Sequence, residues 1–547
     1  MRANFTWTPL HPHPGDAVHF NDLSTGAAAA WSWKFGNPAT GDLNFSTSRN
    51  PMHVFSRDST FTVTLVVRDS TGNRSTRRQK VTVSNTSAVA TTAGSRTVPV
   101  AGHVQGVDGR MFLTDLQIEN PGDSPGSASL SFQPREGAAP EPVAIEFGAR
   151  ETRNVSDAVQ DLFRLHDSLG ALRLDWTGMA SALRMTSRTY THNGEGTLGQ
   201  AAAAFAESED PYASRFVTGL VRTELFRTNV GAVNDSADFE SFQVVLRFAS
   251  GEIIGESRVI GLAAGRQMQV SIADLFPASG GKGLTAEIRP IAGSRAPFAY
   301  AAVVDNFSGD PTFYPALPPA PALYLPAVAR ITGYNNSFFS SDVSIANAGD
   351  DTAWVQVSFL EHDRDNSQAR SVILTLAPHQ TLQIDDALGS LFHLSETYGA
   401  LAVESSDFAK LVVSERISTA SATGPGTVGQ QVDAIPDEGF FGHGSLLGLR
   451  QDGAFRSNVG LFNPEPFWTT VSLTLRLGDG SALGATLVAV PPLGYVQRNL
   501  ADLFPGVEIP EGQTLTLSID SHDVDIFGFA SVIDNVSQDP TFSPGLN

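Results

Sequence analysis

The chain has 547 residues, more than one hydrophobic core supports, so several domains are expected. It carries 36 Lys+Arg against 57 Asp+Glu, a formal charge of −21 that excludes a nucleic-acid partner, which needs a basic face. There is no cysteine, which removes disulfides, thiolate metal sites and cysteine nucleophiles together. No apolar run reaches about 18 residues, so no membrane insertion is expected.

The charge is uneven. Residues 1–90 hold nine Lys+Arg and five Asp+Glu, leaving 27 against 52 for the rest, a basic head on an acidic body. Phe5-Thr6-Trp7 already reads as a first strand, with no signal peptide ahead of it. Trp31-Ser32-Trp33-Lys34-Phe35-Gly36-Asn37 reads as a strand and turn, and His53-Val54-Phe55 as a short strand. Phe61 to Asp69 alternates as a long strand, closed by the turn Ser70-Thr71-Gly72-Asn73. Together these elements resemble the PKD domain, with its Trp-x-Phe-Gly-Asp-Gly strand and turn, His-x-Tyr, and long alternating strand ending in Asp. The resemblance covers residues 1–85 and implies a seven-stranded sandwich of extracellular or cell-surface proteins. It implies a spacer, or contacts with protein or carbohydrate, and does not imply catalysis. Asn37 stands where the family has Asp, and an insertion at 38–43 lengthens the turn, so cation binding there is not carried over.

After a Ser/Thr/Ala-rich linker at 86–96, one element recurs as Phe-x-[Thr/Ser]-[Asp/Asn]-[Leu/Val]-x-apolar-x-Asn. It runs Phe112 to Asn120, Phe226 to Asn234, Phe339 to Asn347 and Phe455 to Asn463, with Asn-to-Asn spacings of 114, 113 and 116. A second marker keeps the same beat: Val159 to Phe163, Ile272 to Phe276, Leu388 to Phe392 and Leu500 to Phe504. Two markers in one register at four places define a tandem array. The second predicts a short helical turn whose Leu and Phe plug the end of each module.

The endings alternate. Arg188 and Gly196-Thr197-Leu198-Gly199-Gln200 in the first repeat answer Arg416 and Gly426-Thr427-Val428-Gly429-Gln430 in the third. Asp305-Asn306-Phe307-Ser308-Gly309-Asp310-Pro311-Thr312-Phe313 in the second answers residues Asp534 to Phe542 in the fourth. The order is therefore A-B-A-B: repeat 1 at 97–204, repeat 2 at 205–316, a Pro-rich linker at 317–321, repeat 3 at 322–434 and repeat 4 at 435–547. Period-two runs such as Val355, Val357, Phe359 and Val471, Leu473, Leu475 predict half-buried strands. The expected fold class is all-β, a tandem array of five immunoglobulin-like β-sandwich domains.

No Gly-x-Ser-x-Gly elbow, His-Glu-x-x-His or P-loop pattern occurs, so no catalytic residue and no cofactor is assigned. His11-Pro12-His13 reads as an exposed loop. Calcium takes irregular oxygen cages, and the acidic turns at Asp363/Asp365, Asp305/Asp310, Asp534/Asp539 and Asp520/Asp523/Asp525 are its candidates. None has EF-hand spacing, and Asp-Pro-Thr-Phe also reads as a turn closed by an Asx hydrogen bond. Nine Asn-x-Ser/Thr sequons, among them Asn44 and Asn234, leave glycosylation open. Among the array's tryptophans, Trp176, Trp354 and Trp468, the sequence singles out Trp468 as a ligand contact, because it follows the turn Asn463-Pro464-Glu465-Pro466.

Two functions remain, both extracellular or cell-surface and non-enzymatic. One is a structural subunit self-associating into a homopolymer, a filament or coat, through the basic head and the acidic body of the next copy. The other is an adhesin or accessory region that binds a glycan or a surface protein.

Overall fold

The computed structural model describes residues 3–9, 12–24, 26, 28–70, 74–83, 92–106, 109–206, 210–333, 336–406, 409–422, 424–521 and 524–547. His11, Thr71, Gly72, Asn73, Asp523 and the linker stretch 84–91 lie outside the described residues.

The head is a sandwich of two antiparallel sheets. Phe5–Thr8, Ala17–Asp22 and Met52–Val54 form one, and Phe45–Ser46, Ala28–Lys34, Ser59–Asp69 and Arg74–Val83 the other. Alternation puts Trp33, Phe20, Phe35, Phe55 and Phe61 into a single aromatic core. The inserted residues form a short 3₁₀ turn over Pro38–Asn44. Asn37 is fully buried there: its N–H donates to Asn44 Oδ1 at 2.6 Å, and its amide Nδ2 lies 3.2 Å from His53 Nε2. The Asn that replaces the family's Asp is thus an internal strut, and burial pushes the His53 imidazole down to about 4.

In each repeat the first marker closes the module from inside. The hydroxyls of Thr114, Thr228, Ser341 and Ser457 accept from backbone N–H groups of Gly102, Val221, Ala329 and Arg450 at 2.8–3.4 Å, where the opening strand passes between layers. The final Asn is buried in all four. Its Nδ2 donates to two loops at once: Ser124 and Gly148, Asp238 and Leu262, Asp351 and Ala377, Phe467 and Pro491. A buried amide that satisfies several carbonyls explains why the position repeats.

The second marker is helical, at Ala158–Phe163, Ile272–Leu275, Ala387–Phe392 and Leu500–Leu503. Its phenylalanines are buried, yet Leu162, Leu275 and Leu391 stay half-exposed. The second plug is the residue four before Phe: Val159, Ile272, Leu388 and Leu500, all inaccessible. On a helix that position shares the face of Phe, whereas Leu next to Phe points aside.

The A and B repeats differ in topology. In type A the long opening strand, Thr92–Gln105 or Ala322–Thr332, pairs into both layers, so nine strands form one continuous sheet. In type B the opening strand, Arg215–Arg222 or His443–Leu449, joins one layer, leaving two sheets of four strands.

The four repeats of the tandem array close into a ring. Repeat 1 meets repeat 2 through Arg173 to Asp235 and Arg266 to the Gly137 carbonyl. Repeat 2 meets repeat 3 through Thr285–Thr381 and Ser414 to the Thr218 carbonyl. Repeat 3 meets repeat 4 through Asp363–Arg498 and Tyr398–Tyr495. Repeat 4 returns to repeat 1 through Thr152–Thr516 and the chain Arg184–Ser445–Glu119. Strands Gly196–Ala203, Pro311–Pro315, Thr427–Asp433 and Pro540–Pro544 meet around the centre and line one cavity of about 240 Å³. The Pro-rich linker is pinned rather than free: Leu317 bridges to Phe216, and Ala320 to Leu411.

Candidate functional site

The alternating endings are the two halves of one joint, used twice. In the B turn the Asp305 carboxylate accepts from its own Phe307 and Ser308 N–H groups. It also accepts from Thr427 N and Oγ1 of the A ending, both at 2.9 Å. Asp310 accepts from Gly429 N at 2.9 Å and from Arg416, and the Ser308 hydroxyl donates to the Thr427 carbonyl. The other joint repeats the backbone and hydroxyl bonds, Asp534 with Thr197 N and Oγ1, Asp539 with Gly199 N, Ser537 with the Thr197 carbonyl, while Arg188 stands 4.0 Å from Asp539. Arg188 and Arg416 reach Thr541 and Thr312, each at 3.1 Å. The second glycine of the A ending is required by close approach. A Cβ at Gly429 meets the Ile417 carbonyl at 2.5 Å, and one at Gly199 meets Tyr190 Cβ at 2.7 Å. The two joints are related by a pseudo-two-fold, as in an isologous dimer.

Four of the calcium candidates therefore sit inside the ring. Asp305, Asp310, Asp534 and Asp539 are at most 3 % exposed; backbone N–H and hydroxyl donors meet both oxygens of Asp305 and Asp534, whereas Asp310 and Asp539 use Oδ2 and leave Oδ1 buried without a partner. Burial pushes Asp310 up to about 7 against the pull of Arg416. Asp539 is raised by burial and by Asp310 beyond it. At the other acidic turn, Asp363 is buried enough to be raised, but Arg498 and His362 hold it below the usual carboxylate range. Asp365 accepts from Ser367 N at 2.8 Å. Among the described residues no three His, Asp or Glu side chains converge on a common point.

The head docks on repeats 3 and 4 with its basic strand Arg74–Val83. Arg74 pairs with Glu404 at 2.8 Å, Lys80 with Asp525 at 3.5 Å, Lys34 with Glu438 and Arg78 with Asp437. Arg78 is buried, donates to Tyr324 Oη at 2.9 Å and lies over the Phe440 ring. Burial by itself would lower it, but Asp437 and Glu465 keep its guanidinium firmly charged. The contact that the sequence placed between copies is made within one chain.

Docking leaves a cleft of about 850 Å³ between the head and the outer face of repeat 3, continuous with a second space of about 460 Å³ that ends at Pro464 and Pro466. Its floor is the sheet face of Ala353–Glu361 and its neighbours. Val355, Val357 and Phe359 point to the core, which turns Trp354, Gln356 and Ser358 outward. Register sets Gln356 between Ile373 and Glu404, with Trp354 one pair further along, opposite Thr375. Arg68 and Arg74 of the head form the facing wall. Trp354 is 53 % exposed.

Sequence reasoning chose Trp468, which is 63 % exposed but does not line this cleft; its neighbour Phe467 packs under Arg77 of the head. It passed over Trp354. The signal was present: the seventh residue after the marker Asn is Ser127, Ser241 and Thr470 in the other repeats, and Trp354 only in the third. Trp176 is buried against Gly94.

Residues 12–83 match the PKD domain family model. No curated protein matches the chain. A carbohydrate-binding module of the β-sandwich superfamily aligns at 16 % identity and TM-score 0.15, over 57 % of this chain and 97 % of its own. The tetra-tandem repeat from the extending region of a large adhesion protein aligns at 11 % identity and TM-score 0.13, over 80 % and 99 %. The α-L-rhamnosidase of Streptomyces avermitilis, complexed with L-rhamnose, aligns at 10 % identity and TM-score 0.12, over 78 % and 57 %. Superpositions this loose carry no weight for binding or activity. The head is a PKD domain, and it precedes a tandem array of four immunoglobulin-like β-sandwich repeats.

Proposed function

We propose that this chain is a non-enzymatic extracellular binding protein of the adhesin type, in which the ring is a rigid scaffold and the cleft between head and repeat 3 is the ligand surface. The observation that carries this reading is the exposed Trp354 on the floor of the cleft of about 850 Å³ between the head and repeat 3. Ligand sites favour domain interfaces, where one wall can be built from each partner. Immobilised full-length chain should bind saturably to at least one member of a panel of extracellular polysaccharides and matrix proteins. No saturable binding to any of them overturns the reading.

The other reading, a homopolymer held by head-to-body contact, has its surface in use within one chain, since Lys34, Arg74, Arg78 and Lys80 already have acidic partners. A polymer through that surface needs the head of each copy to leave its own body. Light scattering after size exclusion at high protein concentration should return a monomer; a ladder of higher species, dispersed by salt, favours the polymer instead.

A further inference from the structure

We infer that the cleft between the head and repeat 3 takes a neutral polysaccharide chain, with the Trp354 indole as its stacking platform and Gln356, Glu404 and Arg74 as its hydrogen-bonding groups. This rests on the binding reading above and names the ligand class.

Three observations select a glycan. The first is the indole itself. A large aromatic ring left half in water on a sheet face has no role in the fold, and Ser127, Ser241 and Thr470 serve the same position in the other repeats. The face of an aromatic ring is electronegative and accepts the weakly positive C–H groups that a pyranose presents on one side. Ile373, 71 % exposed in the neighbouring strand, extends that apolar spot.

The second is what surrounds it. Gln356, Glu404, Gln368, Arg68 and Arg74 bring planar amide, carboxylate and guanidinium groups to the same space. Glu404 and Arg74 already form a pair at 2.8 Å, so their charges are balanced, and each keeps hydrogen-bonding capacity for hydroxyls. A hydroxyl both donates and accepts, so it can satisfy both members of such a pair, and a ligand of high charge is not called for.

The third is the state of the backbone. Ala353–Glu361 is paired on one side to Arg370–Leu376 and on the other to Thr397–Ser405, so its N–H and C=O groups are spent. A peptide that binds by adding a strand needs an open edge, and the edges at this cleft, Arg74–Val83 in the wall and Arg370–Leu376 beside Trp354, are not the floor strand itself. The floor offers side-chain tips only. The cleft is also long: it runs past Gln356, Ser358 and Thr76 to the Pro464–Pro466 turn, which suits successive sugars of a polymer better than one small molecule.

Affinity electrophoresis of the full chain in gels containing a soluble β-glucan, xylan, mannan or galactan tests this. At least one should retard it, with Trp354→Ala weakening retention about tenfold, equivalent to about 1.4 kcal/mol for the stacking contact. Gln356→Ala should weaken it in the same gel, and Trp468→Ala should leave it unchanged. Both tryptophans are exposed, so either variant should melt like the parent. Retention that survives Trp354→Ala overturns the cleft while leaving a binding protein. No retention in any gel, with saturable binding to a matrix protein, overturns the glycan but keeps the binding reading. Failure on both panels removes both.

Discussion

Asp310 and Asp539 accept from backbone N–H groups beside arginines, and burial still raises their carboxyls, Asp310 to about 7. A carboxyl whose folded value exceeds its unfolded value of 3.8 favours folding fully below 3.8 and loses that contribution as pH rises through about 7. Asp433, raised by burial to about 6, has the same sign. His53 has the opposite one: its contribution is intact above 6.5 and is lost as pH falls through about 4. The ring should therefore melt at a higher temperature at about pH 5 than at about pH 8. Asp310→Asn, which keeps an acceptor for Gly429, should flatten that difference in calorimetry. A melting temperature that rises over this interval, or an unchanged slope in the variant, contradicts the assignment.

Each repeat is held by short polar devices as much as by its core. The marker Asn ties the end of one strand to two loops at a site buried from solvent. Asn347→Ala should lower stability by about 2–3 kcal/mol, from two lost hydrogen bonds and the carbonyls left unpaired. Chemical denaturation checks this, and a loss below about 0.5 kcal/mol, ordinary for a surface site, would mean the strut is dispensable. Two of the sequon asparagines are closed off: Asn234, the marker Asn, is buried with its Nδ2 engaged, and Asn44, the last residue of the head's inserted turn, is buried with its Oδ1 accepting from Asn37 N.

For the whole molecule, closure is the governing fact. One copy of the Asp/Thr-Gly joint lies between the consecutive repeats 2 and 3 and the other between repeats 4 and 1 at the two ends of the array, so each A-B pair binds the other pair through two equivalent surfaces. Residues 92–316 and 317–547, produced as separate chains, should associate into one stable complex that copurifies. Independent migration of the two halves would show that the joints need the covalent link. The head adds to this frame by ion pairs at its rim and by buried Arg78 at its centre, and its seat defines one wall of the cleft.

Much of this was determined by sequence alone. Repeat count, A-B alternation, strand periodicity and the head's family follow from local pattern, because side-chain alternation and turn chemistry are properties of short segments. The shared endings were visible as motifs, but their meaning was not. Asp305 and Gly429 stand 124 positions apart, and no local rule says that one binds the strand bearing the other. Read alone, buried acids in a turn resemble a cation loop; only the fold supplies the backbone donors that face them. In the same way Trp354 was an outward residue on an ordinary strand until the head's basic strand docked opposite it. Closure, docking and the cleft come from contacts between surfaces far apart along the chain, and those only the tertiary structure decides.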